Sequence, residues 1–365
     1  MSRYDVAVVG GGPAGLAAAI EVASRGHSCV LFERASDPVD KACGEGLMPA
    51  GLAALDAWKV LLAPEDCAPF EAIRYVQEDG RHVDALLHAP GGLGIRRVAL
   101  RRALVQVARE SGAELREGCA VHGQRASADA VEIDTDAGAV TAKLVVAADG
   151  LHSPLRKAAG LGGPVARSRR FGLRQHFARE PWDGPTRVEV HFAAGVEAYV
   201  TPVGSNRIGV AFLWEDGLIE RPVSFAKLLD QFPRLRERLD GAPADSRALG
   251  AGPLLQRTRG LVRGRLLLLG DAAGYVDAIT GEGLTLAFDQ ARRLGRLLPG
   301  VLRDPSRLQR YERDSQRAFR SYARLASALV ALARRPTLRR VAIDRLVAHP
   351  SLFGFLLRSL TRPGH

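Results

Sequence analysis

The amino-acid sequence predicts an α/β fold with an inserted, mostly antiparallel β domain and a helical C-terminal segment. Three observations support this prediction. Two apolar runs, at residues 4–10 and 27–34, flank a glycine turn and a helix, as parallel strands buried on both faces do. Four segments with strand-like patterns follow one another within residues 169–214. Beyond Glu282 the apolar residues recur at helical spacing.

The first glycine turn has the spacing of a dinucleotide-binding fingerprint, with Gly10, Gly12 and Gly15 between a strand and a helix. The first glycine allows the turn, the second lets the backbone approach a pyrophosphate, and the third lets the helix pack on the strand. A diphosphate would then meet unpaired N–H groups at the positive end of the helix. Glu33 ends the second strand, where a carboxylate accepts hydrogen bonds from ribose hydroxyls. This stretch predicts a dinucleotide site.

FAD and NAD share this fingerprint, and two later segments favour FAD. Asp271 follows an apolar strand, where it can bind the ribityl chain, and the loop at residues 281–283 opens another helix. The N-terminus of that helix suits the negative charge that reduced flavin carries near N1 and O2. The other segment supplies Asp149 and Gly150 together with Ser153 and Arg156.

With these motifs in this order, the sequence resembles the p-hydroxybenzoate hydroxylase-like flavoproteins, which carry GxGxxG, Asp-Gly and Gly-Asp motifs at similar spacing. Arg97 matches the arginine of that family's R-x-x-L-x-x-x-L helix, which reaches the FAD. The resemblance implies a Rossmann-type FAD-binding domain. The predicted FAD contacts are Gly10, Gly12, Pro13, Ala14, Gly15, Glu33, Arg34, Arg97, Val121, Asp149, Asp271, Gly281, Gly283 and Leu284. No metal site is predicted.

Within that superfamily, the sequence is more similar to the geranylgeranyl reductases and related FAD-dependent monooxygenases. Residues 42–51 resemble their Cys-Gly-x-Gly segment, and residues 198–212 resemble their substrate-strand motif. Ala278 stands where many relatives have proline, and Thr201 replaces an aromatic residue common in the prenyl reductases. The W-x-W-x-I-P pattern of flavin halogenases is absent from the sequence, which disfavours halogenation.

The order of the patterns predicts that the substrate domain is inserted in pieces into the nucleotide domain. The predicted parts are an FAD-binding domain of residues 1–63, 94–168 and 261–300, a substrate domain of residues 64–93 and 169–260, and a C-terminal helical segment of residues 301–365.

Four residues are candidates for catalysis. Cys43 and Glu45 lie in the segment that such proteins run along the isoalloxazine face, where Cys43 can tune the flavin and a buried Glu45 can shuttle a proton. The alternative is a tight glycine loop in which Cys43 only fills space. His176 and His191 lie on predicted substrate-domain strands. Either can act as a base, although a lone strand histidine is more often structural.

These observations favour a monooxygenase that hydroxylates an apolar or aromatic small molecule through a flavin C4a-hydroperoxide, with NAD(P)H as the reductant. Because the sequence offers no second nucleotide domain, NAD(P)H is expected to bind transiently, with Arg156 as a candidate contact. One alternative is a reductase of carbon–carbon double bonds in a prenyl or related lipid. Another is a non-catalytic prenyl-binding protein of the same fold, which need not keep the residues of a flavin site.

The net charge of +11 is concentrated in one part of the chain. Residues 292–365 contain 17 arginines and four acids, so that they carry +13 and the remaining 291 residues sum to −2. This distribution argues against a nucleic-acid partner and predicts either a cap over the substrate cavity or a peripheral contact with an anionic membrane. The four cysteines form no CxxC pair, and neither a secretory signal nor a long apolar run is visible. A cytoplasmic location is therefore expected, with or without membrane contact.

Overall fold

The structure is a computed structural model, and it describes residues 3–37, 39–164, 169–182 and 186–348. The strands in chain order are β1 (Arg3–Val9), β2 (Cys29–Glu33), β3 (Gly46–Leu47), β4 (Cys67–Phe70), β5 (Ala72–Val76), β6 (His82–Leu86), β7 (Gly92–Ile95), β8 (Glu114–Glu117), β9 (Val121–Ala126), β10 (Val131–Thr135), β11 (Val140–Ala147), β12 (Arg170–Phe177), β13 (Arg187–Phe192), β14 (Val196–Gly204), β15 (Arg207–Glu215), β16 (Leu249–Ala251), β17 (Val262–Arg263) and β18 (Leu266–Leu268). The helices are α1 (Pro13–Ala23), α2 (Pro49–Ala57), α3 (Arg97–Glu110), α4 (Pro154–Ala158), α5 (Phe225–Leu229), α6 (Pro233–Arg238), α7 (Gly283–Arg303), α8 (Leu308–Ala333) and α9 (Pro336–Ala348).

The first sheet has eight strands and is largely parallel. Its strands run in the order β17-β18-β11-β1-β2-β8, and β9 and β10 extend β11 as an antiparallel layer. Successive residues of β1 enter different clusters: Val6 and Val8 pack toward α1 and α7, while Ala7 and Val9 pack on the opposite face. Both faces are therefore buried, as the uninterrupted valine run predicts.

The second sheet has the order β16-β12-β15-β14-β13-β5-β6, and only its β13–β5 pair is parallel. All four strands predicted within residues 169–214 belong to it, which confirms the mostly antiparallel second sheet. A third, three-stranded sheet β3-β7-β4 lies against β14, where a Cβ on Gly94 would come within 1.6 Å of the Pro202 carbonyl oxygen. Only glycine permits that contact. The domain boundaries stay a prediction.

Long helices complete the fold, as the pattern beyond Glu282 predicts for the described residues. Helix α7 packs on α1, and α8 returns across both α7 and the apolar face of the second sheet. Tyr311 on α8 donates its hydroxyl proton to the Leu268 carbonyl at the end of β18. Residues 349–365 of the predicted C-terminal segment lie outside the described residues. Among the described helices, none is long and apolar enough to cross a bilayer.

Candidate active site

The fingerprint turn is packed so closely that two of its positions require glycine. A Cβ on Gly10, whose φ is +111°, would lie 2.3 Å from the Ala148 carbonyl oxygen. A Cβ on Gly15 would lie 1.9 Å from the Gly10 carbonyl oxygen. Helix α1 starts directly after this turn, with Pro13 in its first turn and no side-chain cap. Its first N–H groups therefore remain for an anion.

Glu33 is held at the end of β2 by the backbone around it. Its Oε2 accepts a hydrogen bond from the Gly11 N–H at 2.7 Å, and its Oε1 accepts one from the Ala35 N–H at 3.0 Å. The carboxylate thus sits beside the fingerprint turn, where a ribose would lie. Arg34 is exposed, and Val121 packs partly buried against the cluster that contains Phe32. The roles predicted for these two residues stay predictions.

Arg97 and Asp271 approach the same turn from other parts of the chain. A Cβ on Gly12 would lie 3.7 Å from a guanidinium nitrogen of Arg97, the first residue of α3. Asp271 lies in the short 3-10 helix Gly270–Ala273 after β18, and a Cβ on Gly270 would meet Ala14 at 2.7 Å. Burial raises the pKa of Asp271, while the charge of Arg97 acts in the opposite direction. The structure therefore brings these motifs together.

The Asp-Gly motif is joined to the Gly-Asp motif through Arg156. This buried guanidinium donates to the carbonyls of Ala272 at 3.0 Å and Leu151 at 2.8 Å. The proposed contact of Arg156 with NAD(P)H is therefore wrong, because the guanidinium is buried and donates to backbone carbonyls of the protein interior. Asp149 accepts from the Leu155 N–H through Oδ2, while its buried Oδ1 has no partner among the described residues.

The last predicted FAD segment begins α7. Gly281 has a φ of +68°, and a Cβ on Gly283 would lie 3.7 Å from the Tyr275 ring. Leu284 packs partly buried on the core between the parallel sheet and its helices. Burial raises the pKa of Glu282, which lies between the two glycines, from 4.5 to about 7.

These features fit FAD. The uncapped α1 suits the diphosphate, Glu33 suits the ribose, and Asp271 and the orphaned Asp149 oxygen offer acceptors for hydroxyl groups. In that arrangement α7 would direct its N-terminus toward the flavin ring.

Glu45 and His176 form a fully buried pair, with 2.6 Å between Glu45 Oε2 and His176 Nε2. His176 Nδ1 lies 3.0 Å from both the Arg174 guanidinium and the Ser246 hydroxyl; because the guanidinium can only donate, Nδ1 accepts and Nε2 donates to Glu45. Glu45 also accepts from the Arg97 N–H at 2.9 Å. His176 thus has no free lone pair, and this geometry indicates a positioning pair. The catalytic roles predicted for both stay untested.

Cys43 is partly buried two residues before Glu45, and its sulfur accepts from the Glu45 N–H at 3.4 Å. Glu45 has a φ of +58°, and Thr201 donates to the Gly44 carbonyl at 2.8 Å. The Thr201 hydrogen bond thereby fixes the Cys43 loop to the second sheet. His191 instead pairs with Glu189 at 2.8 Å.

Sequence reasoning missed two arginines that support the site. Arg174 is fully buried and reaches Asp40 and the Lys41 carbonyl. Arg101 on α3 donates to the Gly11 carbonyl at 3.0 Å. The only signals were local: Arg174 shares a strand face with His176, and Arg101 lies one helical turn from Arg97.

An apolar cluster lines the other side of these loops. It joins Met48, which follows the Cys43 loop, and Ile279, which precedes Gly281, to the second sheet and α8. Its partly buried members are Tyr75, Leu87, Tyr199, Val276, Leu286, Phe319, Leu329, Val330 and Leu346. At one edge, Arg170 is buried between Glu197 and Asp277, at 2.5 and 2.8 Å, and burial raises the pKa of both carboxyls.

Fold and site together define an FAD-dependent oxidoreductase. A family model described as FAD binding domain matches residues 3–326, and the chain belongs to that family. Two relatives are digeranylgeranylglycerophospholipid reductase 1 of Methanopyrus kandleri, 30% identical over 87% of each chain, and menaquinone reductase of Mycolicibacterium smegmatis, 29% identical over 81% of this chain and 76% of the relative. The resemblance inferred from the motifs is confirmed.

Solved structures show the same fold at lower identity. The p-nitrophenol 4-monooxygenase PnpA from Pseudomonas putida DLL-E4 superposes with a TM-score of 0.82 at 21% identity, each chain being covered completely. The flavin-dependent brominase Bmp2 gives a TM-score of 0.86 at 18% identity and covers 99% of this chain and 94% of its own. These similarities concern the fold alone.

Proposed function

We propose that the protein uses FAD to reduce a carbon–carbon double bond in an apolar, prenyl-type lipid or quinone. The observation that supports this most is the apolar cluster, because it meets the two loops predicted to hold the flavin ring, at Met48 and Ile279. Its partly buried members leave apolar surface that a long hydrocarbon can cover.

The sequence motifs favour oxygenation, but two observations favour reduction instead. The relatives that align over most of the chain are named as reductases of menaquinone and of digeranylgeranylglycerophospholipids. In addition, the two candidate bases, Glu45 and His176, are bound to each other and buried. A phenol therefore finds no free base in either of them.

Reduced FAD, when bound, supplies a hydride to one carbon of the double bond, and the two electrons come originally from NAD(P)H. The chain has to supply a proton to the other carbon. Tyr275 is our candidate donor, because its ring lies next to Gly283 at the start of α7, where the flavin ring is expected, and its hydroxyl carries a proton at neutral pH. Glu45 and His176 fix the Cys43 loop beside it.

The test is anaerobic turnover with a prenylated quinone or a geranylgeranyl lipid, followed by mass spectrometry. We expect a mass gain of two hydrogens per reduced bond. Tyr275→Phe should slow reduction about 100-fold while keeping its flavin, whereas Tyr4→Phe, at the parallel sheet, should not. No mass gain with any prenyl substrate would refute the proposal.

Oxygenation of an apolar phenolic substrate is the second candidate, and Thr201 favours it. This residue replaces an aromatic side chain common in prenyl reductases, and its hydroxyl donates a hydrogen bond to the Gly44 carbonyl. Labelled dioxygen separates the candidates: one labelled atom in the product, with no anaerobic reduction, would establish oxygenation in place of reduction.

A further inference from the structure

We propose that the outer side of α8 and α9 is a docking surface for an anionic lipid bilayer. Four arginines of α8, namely Arg313, Arg317, Arg320 and Arg324, are spaced by four, three and four residues and are all exposed. This spacing puts them in one row along the helix. We call them the arginine row.

The row is fixed in direction because the opposite side of α8 is anchored to the protein. Tyr311 donates to the Leu268 carbonyl at 2.8 Å and Tyr322 to the Asp277 carbonyl at 2.5 Å. Ser315 and Ala326 are buried on the same side. Helix α8 cannot rotate the arginine row inward without breaking these contacts.

Charge on the row is poorly compensated. In the described part of the chain, only Arg313 of the four contacts an acid, Asp314, at 3.4 Å. Since residues 292–365 carry +13 and the rest of the chain sums to −2, the excess positive charge belongs to the segment that contains α8 and α9. A surface of negative charge is the complementary partner.

Exposed apolar residues on the following helix favour a bilayer over a nucleic acid. Leu338 and Val341 on α9 are 51% and 55% exposed, while Arg339 and Ile343 hold α9 to the body from its other side. Arginine on phosphates with leucine and valine at the acyl boundary is how an interfacial helix binds.

Flotation of the flavin-loaded protein with phosphatidylcholine vesicles, with and without 30% phosphatidylglycerol (about one lipid in three), tests the proposal. We expect binding only to the anionic vesicles, weakened by salt. The triple variant Arg317→Glu, Arg320→Glu, Arg324→Glu should bind at least about 100-fold more weakly, since each arginine at the surface contributes about 1 kcal/mol.

The matched control makes the same charge change elsewhere on the protein. It is the triple variant Arg3→Glu, Arg247→Glu, Arg257→Glu, which replaces three exposed arginines outside α8 and α9. It should bind nearly as the parent does. Equal losses in both triples, an unchanged row variant, or binding of duplex DNA in preference to anionic vesicles would each overturn the proposal. Flavin absorbance and circular dichroism establish that each variant is folded. If a Glu variant does not fold, Arg→Gln replacements at the same positions are used in its place. The readout does not depend on the reaction catalysed.

The apolar part of the surface has its own variant. Leu338→Ser with Val341→Ser should reduce vesicle binding, because these side chains would no longer enter the acyl boundary. Leu218→Ser is the control, as Leu218 is 53% exposed elsewhere on the protein. Unchanged binding by the α9 double variant would remove α9 from the docking surface.

Discussion

Replacing Glu282 by glutamine should change how the stability of the flavin-free protein depends on pH. This carboxyl lies between Gly281 and Gly283 at the start of α7, and burial raises its pKa from 4.5 to about 7. A raised folded pKa means that the native state holds the proton more tightly than the unfolded state. The stabilising contribution is complete below pH 4.5 and is lost as the pH rises through about 7.

The magnitude follows from the two pKa values. One pKa unit corresponds to about 1.4 kcal/mol, so between pH 5 and pH 8 the free energy of unfolding should fall by about 2.5 kcal/mol on account of Glu282. Other groups titrate in the same range in both proteins and cancel in the comparison. The Glu282→Gln variant should therefore lose about 2.5 kcal/mol less than the parent over this interval.

Urea unfolding at pH 5 and pH 8, followed by circular dichroism, measures this difference. The control is Glu237→Gln, which removes an exposed carboxylate on α6 and should follow the parent. If parent and Glu282→Gln lose equal stability between the two pH values, the carboxyl is not buried as described, and the argument about the start of α7 is wrong.

Three other changes test the flavin site and its support. Asp271→Ala should lose a charge-assisted hydrogen bond of about 1.5–3 kcal/mol and weaken FAD binding about ten- to a hundredfold, measured by titration of the flavin-free protein; unchanged affinity would mean that the flavin lies elsewhere. Gly15→Ala should purify without yellow colour, since its Cβ would meet the Gly10 carbonyl at 1.9 Å; a full flavin content contradicts this. Glu45→Gln should lower the free energy of unfolding by about 1.5–3 kcal/mol in urea, because a neutral amide cannot accept hydrogen bonds from both the His176 Nε2–H and the Arg97 N–H as the carboxylate does; a change below about 1 kcal/mol, which is the mean for any substitution, refutes this.

Local patterns predicted the fold and the cofactor site because each is encoded in neighbouring residues. The glycine spacing, Glu33 at a strand end and the alternation within residues 169–214 depend only on helix and strand periodicity. The Glu45–His176 contact joins residues 131 positions apart, and its formation depends on how β12 packs against the loop before β3. No local pattern contains that information.

Arg156 is a second residue whose contacts could not be predicted from the local sequence. Its place beside an Asp-Gly motif made it a candidate contact for NAD(P)H, yet its side chain points inward and donates to the carbonyls of residues 151 and 272. An arginine on a short helix has the same pattern whether it faces solvent or the interior. Burial, which decides between these, is a property of the whole fold.

The pairing of β5 with β13 also affects how the chain is made. Strand β5 ends at Val76, and its parallel partner β13 begins at Arg187. At ordinary rates of translation, the ribosome takes on the order of ten seconds to add the intervening residues. During that time one edge of β5 stays open to other chains. Expression at a low temperature and with additional chaperones should therefore raise the yield of folded enzyme.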